Sequence, residues 1–273
     1  MTAQALPAVA TPKARHRSAI SLKYLWCEMR RPFRRSTMLF NLALPAVLYL
    51  ALFRTVHTAE LPDGNFAMWM MIGIAVYGAA TASTSYAASI SVDEANGWTR
   101  TIRLTPLSSV GYVLVKVLCA MAIALAPTLL IGLIGLLTGA HGTLRVWVIG
   151  LGAAWLSSAI FSAFGLALGL SLRPEVVMHV PGLVITGLAF LGNVFVPLSG
   201  TMLTIGRWSP AYGITALARY PLTNGIDIGG GHDSLTAALI GTFCWFAGFV
   251  FWASRRFTKS LSLIHISEPT RLG

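Results

Sequence analysis

Residues 91–116, SVDEANGWTRTIRLTPLSSVGYVLVK, decide how this chain is read. They form the longest polar segment between two long apolar runs, residues 66–90 before and 111–139 after. About 20 apolar residues cross a hydrocarbon core as a helix, so each flank is long enough to span a bilayer. The other residues repeat the theme. The chain has 273 residues, of which 55% are hydrophobic and 11% charged, with a mean hydropathy of +0.70. Soluble domains carry about a quarter charged residues. The apolar runs are continuous rather than alternating, which excludes a membrane barrel. The fold class is an all-α polytopic membrane protein.

Further apolar runs complete the plan. Six transmembrane helices are expected at about 36–53, 66–90, 111–139, 145–172, 176–197 and 235–253, within a membrane domain of residues 36–254. Pro45 and Pro127 lie inside the first and third spans, and the fourth carries Gly165 and Gly169, a small-x3-small face for close helix packing. Thr81, Ser83, Thr84, Ser85 and Ser89 crowd the later half of the second span and suit close helix packing, with a polar lining as the second reading. Residues 199–233 are of intermediate polarity. They read as short helices at 203–208 and 212–220, broken by Pro210, Pro221 and a triple glycine, in a hairpin lying on or partly in the membrane.

Before the first span, residues 1–17 read as a disordered basic tail and residues 18–35 as an amphipathic interfacial helix. Leu22, Leu25, Trp26, Met29 and Phe33 recur at helical spacing, while Lys23, Arg30, Arg31 and Arg34 take the other side. At the far end, residues 261–271 (LSLIHISEPTR) resemble the translation of a sequencing adapter, so residues 261–273 are expected to be a non-native tail.

The net charge of +11 invites a nucleic-acid partner, but the basic residues crowd the N-terminus and the span ends. That distribution orients a membrane protein. With both termini cytoplasmic, Arg30, Arg31, Arg100, Arg103, Lys116, Arg255 and Arg256 fall inside with most other cations, while only Arg54, Arg145, Arg207 and Arg219 fall outside. A multi-pass protein of the cell (inner or plasma) membrane is expected, with the lipid bilayer and no nucleic acid as partner.

Chemistry is sparse. The three cysteines, Cys27, Cys119 and Cys244, have neither disulfide nor metal spacing, so no metal site is expected. No ionisable residue is placed mid-span except His179, near a helix end, which argues against a proton relay. The chain lacks the Gly-x4-Gly-Lys-Ser/Thr motif of a phosphate-binding loop. Ser157, Ser158 and Ser199 as nucleophiles, with His141 or His179 as base, form no recognisable hydrolase arrangement. No catalytic residue is assigned, and the chain is not read as an enzyme. The polar loop is left as the functional candidate. Asp93 and Glu94 could pair with Arg100 or Arg103 or cap a short helix, and Trp98, Leu104 and Leu107 supply an apolar face. Two readings fit these residues equally, a docking element and a solvated connector.

A basic amphipathic helix, a first span with a central proline and an acidic-Gly-Arg loop ending in Leu104-Thr105-Pro106-Leu107-Ser108 follow one another. Lys116 comes next, and later Val196-Pro197-Leu198-Ser199 and Ser209-Pro210. In this order the chain resembles the permease subunit of an ABC-2 type transporter. The resemblance implies an ABC-2 type exporter fold, a second permease subunit (the same chain or a paralogue) and a cytoplasmic ATP-binding cassette ATPase. It implies no cofactor in this chain, ATP and Mg being bound by the partner. The coupling residues it implies are Asp93, Glu94, Gly97, Trp98, Arg100, Arg103, Leu104, Thr105, Pro106, Leu107 and Ser108, and Leu22, Leu25, Trp26, Met29, Arg30, Arg31 and Phe33 on the interface helix. It makes residues 199–233 an outer hairpin capping the pathway. Residues 92–96 are leaner in charge than the family's usual run. The expected cargo is drug-like, lipid-like or otherwise amphiphilic, in a bacterial export or drug-resistance setting. The alternative is a membrane sensor or resistance module that binds a drug or peptide without moving it.

Overall fold

The computed structural model describes residues 36–53, 60–97, 109–177, 179–226, 228–229 and 231–266, with only the backbone at 36–38, 109–112 and 258–266. The helices are α1 (Ser36–Phe53), α2 (Phe66–Ala88), α3 (Ile90–Ala95), α4 (Ser109–Leu137), α5 (Leu144–Gly169), α6 (Pro174–Val177), α7 (Val180–Leu191), α8 (Gly200–Gly206), α9 (Pro210–Thr223) and α10 (Leu235–Ile266). Two short strands, β1 (Glu60–Leu61) and β2 (Gly64–Asn65), pair antiparallel ahead of α2. Among the described residues, four helical stretches are long and apolar enough to cross a membrane: Phe66–Ala95, Val113–Leu137, Leu144–Gly169 and Leu235–Phe257. Two apolar helices, Leu39–Leu52 and Val180–Leu191, are shorter.

The bundle is built around α2, whose apolar window is wholly buried. Small residues let its neighbours approach. A Cβ on Gly165 would lie 2.5 Å from the Thr84 carbonyl oxygen, and one on Gly169 would lie 2.6 Å from that of Ala88. The small-x3-small face of α5 is therefore seated on the later half of α2. The Thr84 hydroxyl completes the contact by donating to the Phe161 carbonyl at 3.0 Å. Thr81, Ser83 and Ser89 donate to carbonyls of α2 itself, as residues in a packed helix do. The two mid-helix prolines meet at one point: Pro127 of α4 and Pro45 of α1 both face Gly78, where an added Cβ would stand 3.2–3.3 Å from their rings. Hydroxyl pairs join further helices to this frame, Tyr49 to Thr138 at 3.0 Å and Tyr77 to Thr186 at 2.9 Å.

Three boundaries differ from the sequence reading. The second apolar run does not open into a loop at Ser91, because α3 follows α2 directly and stays helical to Ala95. The fifth run is interrupted, with α6 ending at Val177 and α7 covering only twelve residues. Pro181 starts α7, and Gly192 with Asn193 (φ 59°) ends it. Twelve residues make about 18 Å of helix, short of a bilayer core. Pro221 does not break its helix either. It sits in the last turn of α9, where it removes one donor, and the helix ends only at Asn224, in the left-handed region with φ 52°. Pro210 stands in the first turn behind a Ser209 cap. At the other end of the chain, α10 continues into the stretch read as non-native.

Candidate functional site

Of the predicted coupling residues, Asp93, Glu94 and Gly97 lie among the described residues; Trp98, Arg100, Arg103, Leu104, Thr105, Pro106, Leu107, Ser108 and the whole 18–35 helix lie outside them. The described part shows how the loop is entered. At the end of α2 the Ser89 hydroxyl donates to the Tyr86 carbonyl at 2.7 Å, and α3 restarts on Ser89. This short helix is pinned on two sides. Ser91 Oγ donates to the Leu172 carbonyl after α5 at 2.8 Å. Asp93 Oδ2 receives Lys116 Nζ of α4 at 2.6 Å.

Both members of that pair are buried, Lys116 with 1% of its side chain exposed and Asp93 with 7%. The ammonium also stands 5.1 Å from the centroid of the Tyr86 ring. Ala87 of α2, Ile90 of α3 and Leu166 of α5 form a small apolar cluster, with Val113 and Val117 of α4 against it. Burying either charge alone is costly, so each supplies the counter-ion that the other needs. Asp93 thus anchors, through Lys116, the segment that leads towards residue 97. Glu94 is half-buried and Gly97 is exposed. Gly97 has φ +69°, a conformation other side chains resist, and it turns the chain out of α3.

The opposite end of α2 holds the second polar constellation. Asn65 caps α2 by accepting from Met68 N at 3.0 Å, while its amide donates to the Gly139 carbonyl at 2.9 Å. Asp63 accepts from Asn224 at 2.9 Å, and the Asp63 amide donates to the Leu222 carbonyl. The turn before α2, the α4–α5 turn and the end of α9 are thereby stitched into one plate. Under it lies Arg219, 3% exposed. Its Nε donates to the Trp69 carbonyl at 2.9 Å and its terminal nitrogens to the carbonyls of Val194, at 2.8 Å, and Asn193. The guanidinium lies 3.3 Å from the Trp69 ring centroid. Trp69, Asn193, Tyr212, Thr215, Ala216, Arg219, Thr223 and Asp233 line a small cleft around it.

The sequence puts Lys116 within the 111–139 span, as its sixth residue, without marking it as buried, and it counts Arg219 among the outer charges. The early sign for Arg219 was the amphipathic pattern of α9, whose polar face turned out to be covered. The hydrolase candidates are not brought together. Ser157 and Ser158 donate to carbonyls of their own helix, Ala154 and Trp155, while Ser199, His141 and His179 are exposed. His141 pairs with Glu60 at 3.3 Å on the surface.

A helical bundle around one buried apolar helix, with four stretches long and apolar enough to cross a membrane among the described residues, defines a multi-pass membrane protein. The family model of the ABC-2 type transporter matches residues 20–218. The chain therefore belongs to the ABC-2 type transporter family, as its membrane component. No individually curated protein gives a significant sequence match to it.

Proposed function

We propose that this chain is the permease subunit of an ABC-2 type exporter, driven by ATP that a separate cytoplasmic cassette subunit hydrolyses with Mg. In this reading the chain crosses the membrane six times. α1 and the broken α6–α7 segment are the two shorter crossings, and both termini face the cytoplasm. The 91–116 segment and the 18–35 helix meet the ATPase, a second permease completes the pathway, and the cargo is a drug-like or lipid-like amphiphile.

The observation that carries the reading is the buried Lys116–Asp93 pair. A loop that merely connects two helices needs no such anchor. A loop that must carry force from a moving partner does, because displacement has to reach the helices without being lost in slack chain. Through Asp93 the loop is fastened to α4, through Ser91 to the turn after α5, and through Ser89 to α2. In this reading Trp98, Arg103 and Leu107 make the contact and supply apolar and basic groups.

Co-purification in detergent with the cassette ATPase encoded beside this chain tests it. The wild type should retain the ATPase, and Trp98→Ala with Leu107→Ala should lose it while eluting as a folded protein. If folded wild-type permease binds no ATPase, the reading fails and the sensor alternative takes its place.

A further inference from the structure

We infer that Arg219 is the latch of a closed mouth at the β1–β2 end of the bundle, and that the cleft beside it opens when its carbonyl contacts are released. This deepens the exporter reading and rests on it only for calling that end the outer one.

The argument begins with α7. It stops at Leu191, and the chain then runs unwound through Asn193 and Val194 before α8. The final carbonyls of a helix and those of an unwound stretch need donors, which water would supply on a surface but which are scarce inside an apolar bundle. Val194 and Phe195 are buried there. Arg219 brings the donors. Its planar fork reaches Asn193 and Val194 on the unwound chain and Trp69 on α2 at once. One side chain on α9 thus fastens three segments together.

Its seat is built for it. A Cβ on Gly73 would come within 2.0 Å of the guanidinium and 2.5 Å of the Val194 carbonyl oxygen, so only glycine leaves the space. Gly73 lies seven residues into α2, which puts the contact about 10 Å below the helix end. On the cleft wall Tyr212 donates to Asp233 at 2.5 Å, and Arg207 reaches the same carboxylate at 3.7 Å. Thr215 lines this cleft and is 1% exposed. The bonds that close the mouth run to backbone dipoles on segments that end or bend here. Rotating α9 away from α2 would break them together without breaking any helix, which is how a local opening becomes all-or-none.

Cysteine labelling in membrane vesicles tests the latch without cargo or ATPase. Cys27 and Cys244 are replaced by serine, buried Cys119 is kept as an internal control, and Thr215→Cys reports on the cleft. A membrane-impermeant maleimide is then applied to right-side-out and to inside-out vesicles. With Arg219 present, position 215 should label slowly. Arg219→Met should speed labelling about tenfold or more, Arg219→Lys should fall between, and Gly73→Ala, which fills the seat, should act like Arg219→Met. Cys119 should stay unlabelled throughout, because a general loss of fold would expose it too. Unchanged labelling at 215 in both Arg219→Met and Gly73→Ala overturns the latch. So does fast labelling with Arg219 intact, and so does labelling that rises equally at Cys119. A rise seen only in inside-out vesicles supports the latch and overturns the orientation instead.

Discussion

A buried cation from a neighbouring helix packs near each end of α2, and the two are held in different ways. Lys116 meets a carboxylate, Asp93, supplied by the helix that continues α2. Arg219 meets backbone carbonyls of α2 and of the unwound chain after α7, under an aromatic ring. A charge pair binds two points and tolerates exchange, since the attraction survives if the charges trade places. A guanidinium among dipoles binds several segments, and no other side chain has its fork. The first arrangement suits a strut that has to transmit movement as a unit. The second suits a closure that yields when one segment turns.

This contrast can be broken first at the strut. Lys116→Met or Asp93→Ala should each cost about 3–5 kcal/mol, because either leaves a buried charge without its counter-ion. Asp93→Lys combined with Lys116→Asp should recover most of that loss. Thermal unfolding of the purified protein, followed by tryptophan fluorescence, reads both. Next in size are the helix contacts between the two cations. Gly165→Val places carbon against the Thr84 backbone and should cost about 1–3 kcal/mol, visible in the same unfolding curves. Gly78→Ala should cost less, since its neighbours are two proline rings at 3.2–3.3 Å rather than backbone.

The smallest effects belong to the plate over Arg219. Asn65→Ala removes the α2 cap and should cost about 1 kcal/mol. His141→Ala, which loses an exposed pair to Glu60, should change stability by about 0.5 kcal/mol or less.

The two ends were also unequally legible in the sequence. Length and hydropathy placed α1, α2, α4 and α5 within a few residues, because an apolar run of that size has only one stable form in a bilayer. Gly165 and Gly169 announced a close contact, though not that α2 was its partner. The Asp93–Lys116 pair joins residues on either side of the loop, and spacing alone does not say which cation a carboxylate will meet once the helices are packed. Arg219 was read as an outer-loop charge because its segment is only moderately apolar. Its burial follows from Gly73, from the early end of α7 and from the insertion of α9, and none of these is a local property. Pro221 misled for a similar reason: a proline breaks a helix when its missing donor and ring fall mid-helix, and here both fall in the last turn.

The two ends should differ most plainly in what touches them. A photo-crosslinking amino acid placed at Trp98 or at Arg103 is compared with one at Asn224, on the plate over Arg219, in cells making this chain together with the cassette ATPase proposed to drive it. The account predicts ATPase adducts from positions 98 or 103 and none from 224. Adducts from 224, or none from any position while the two proteins are both present and folded, would contradict it.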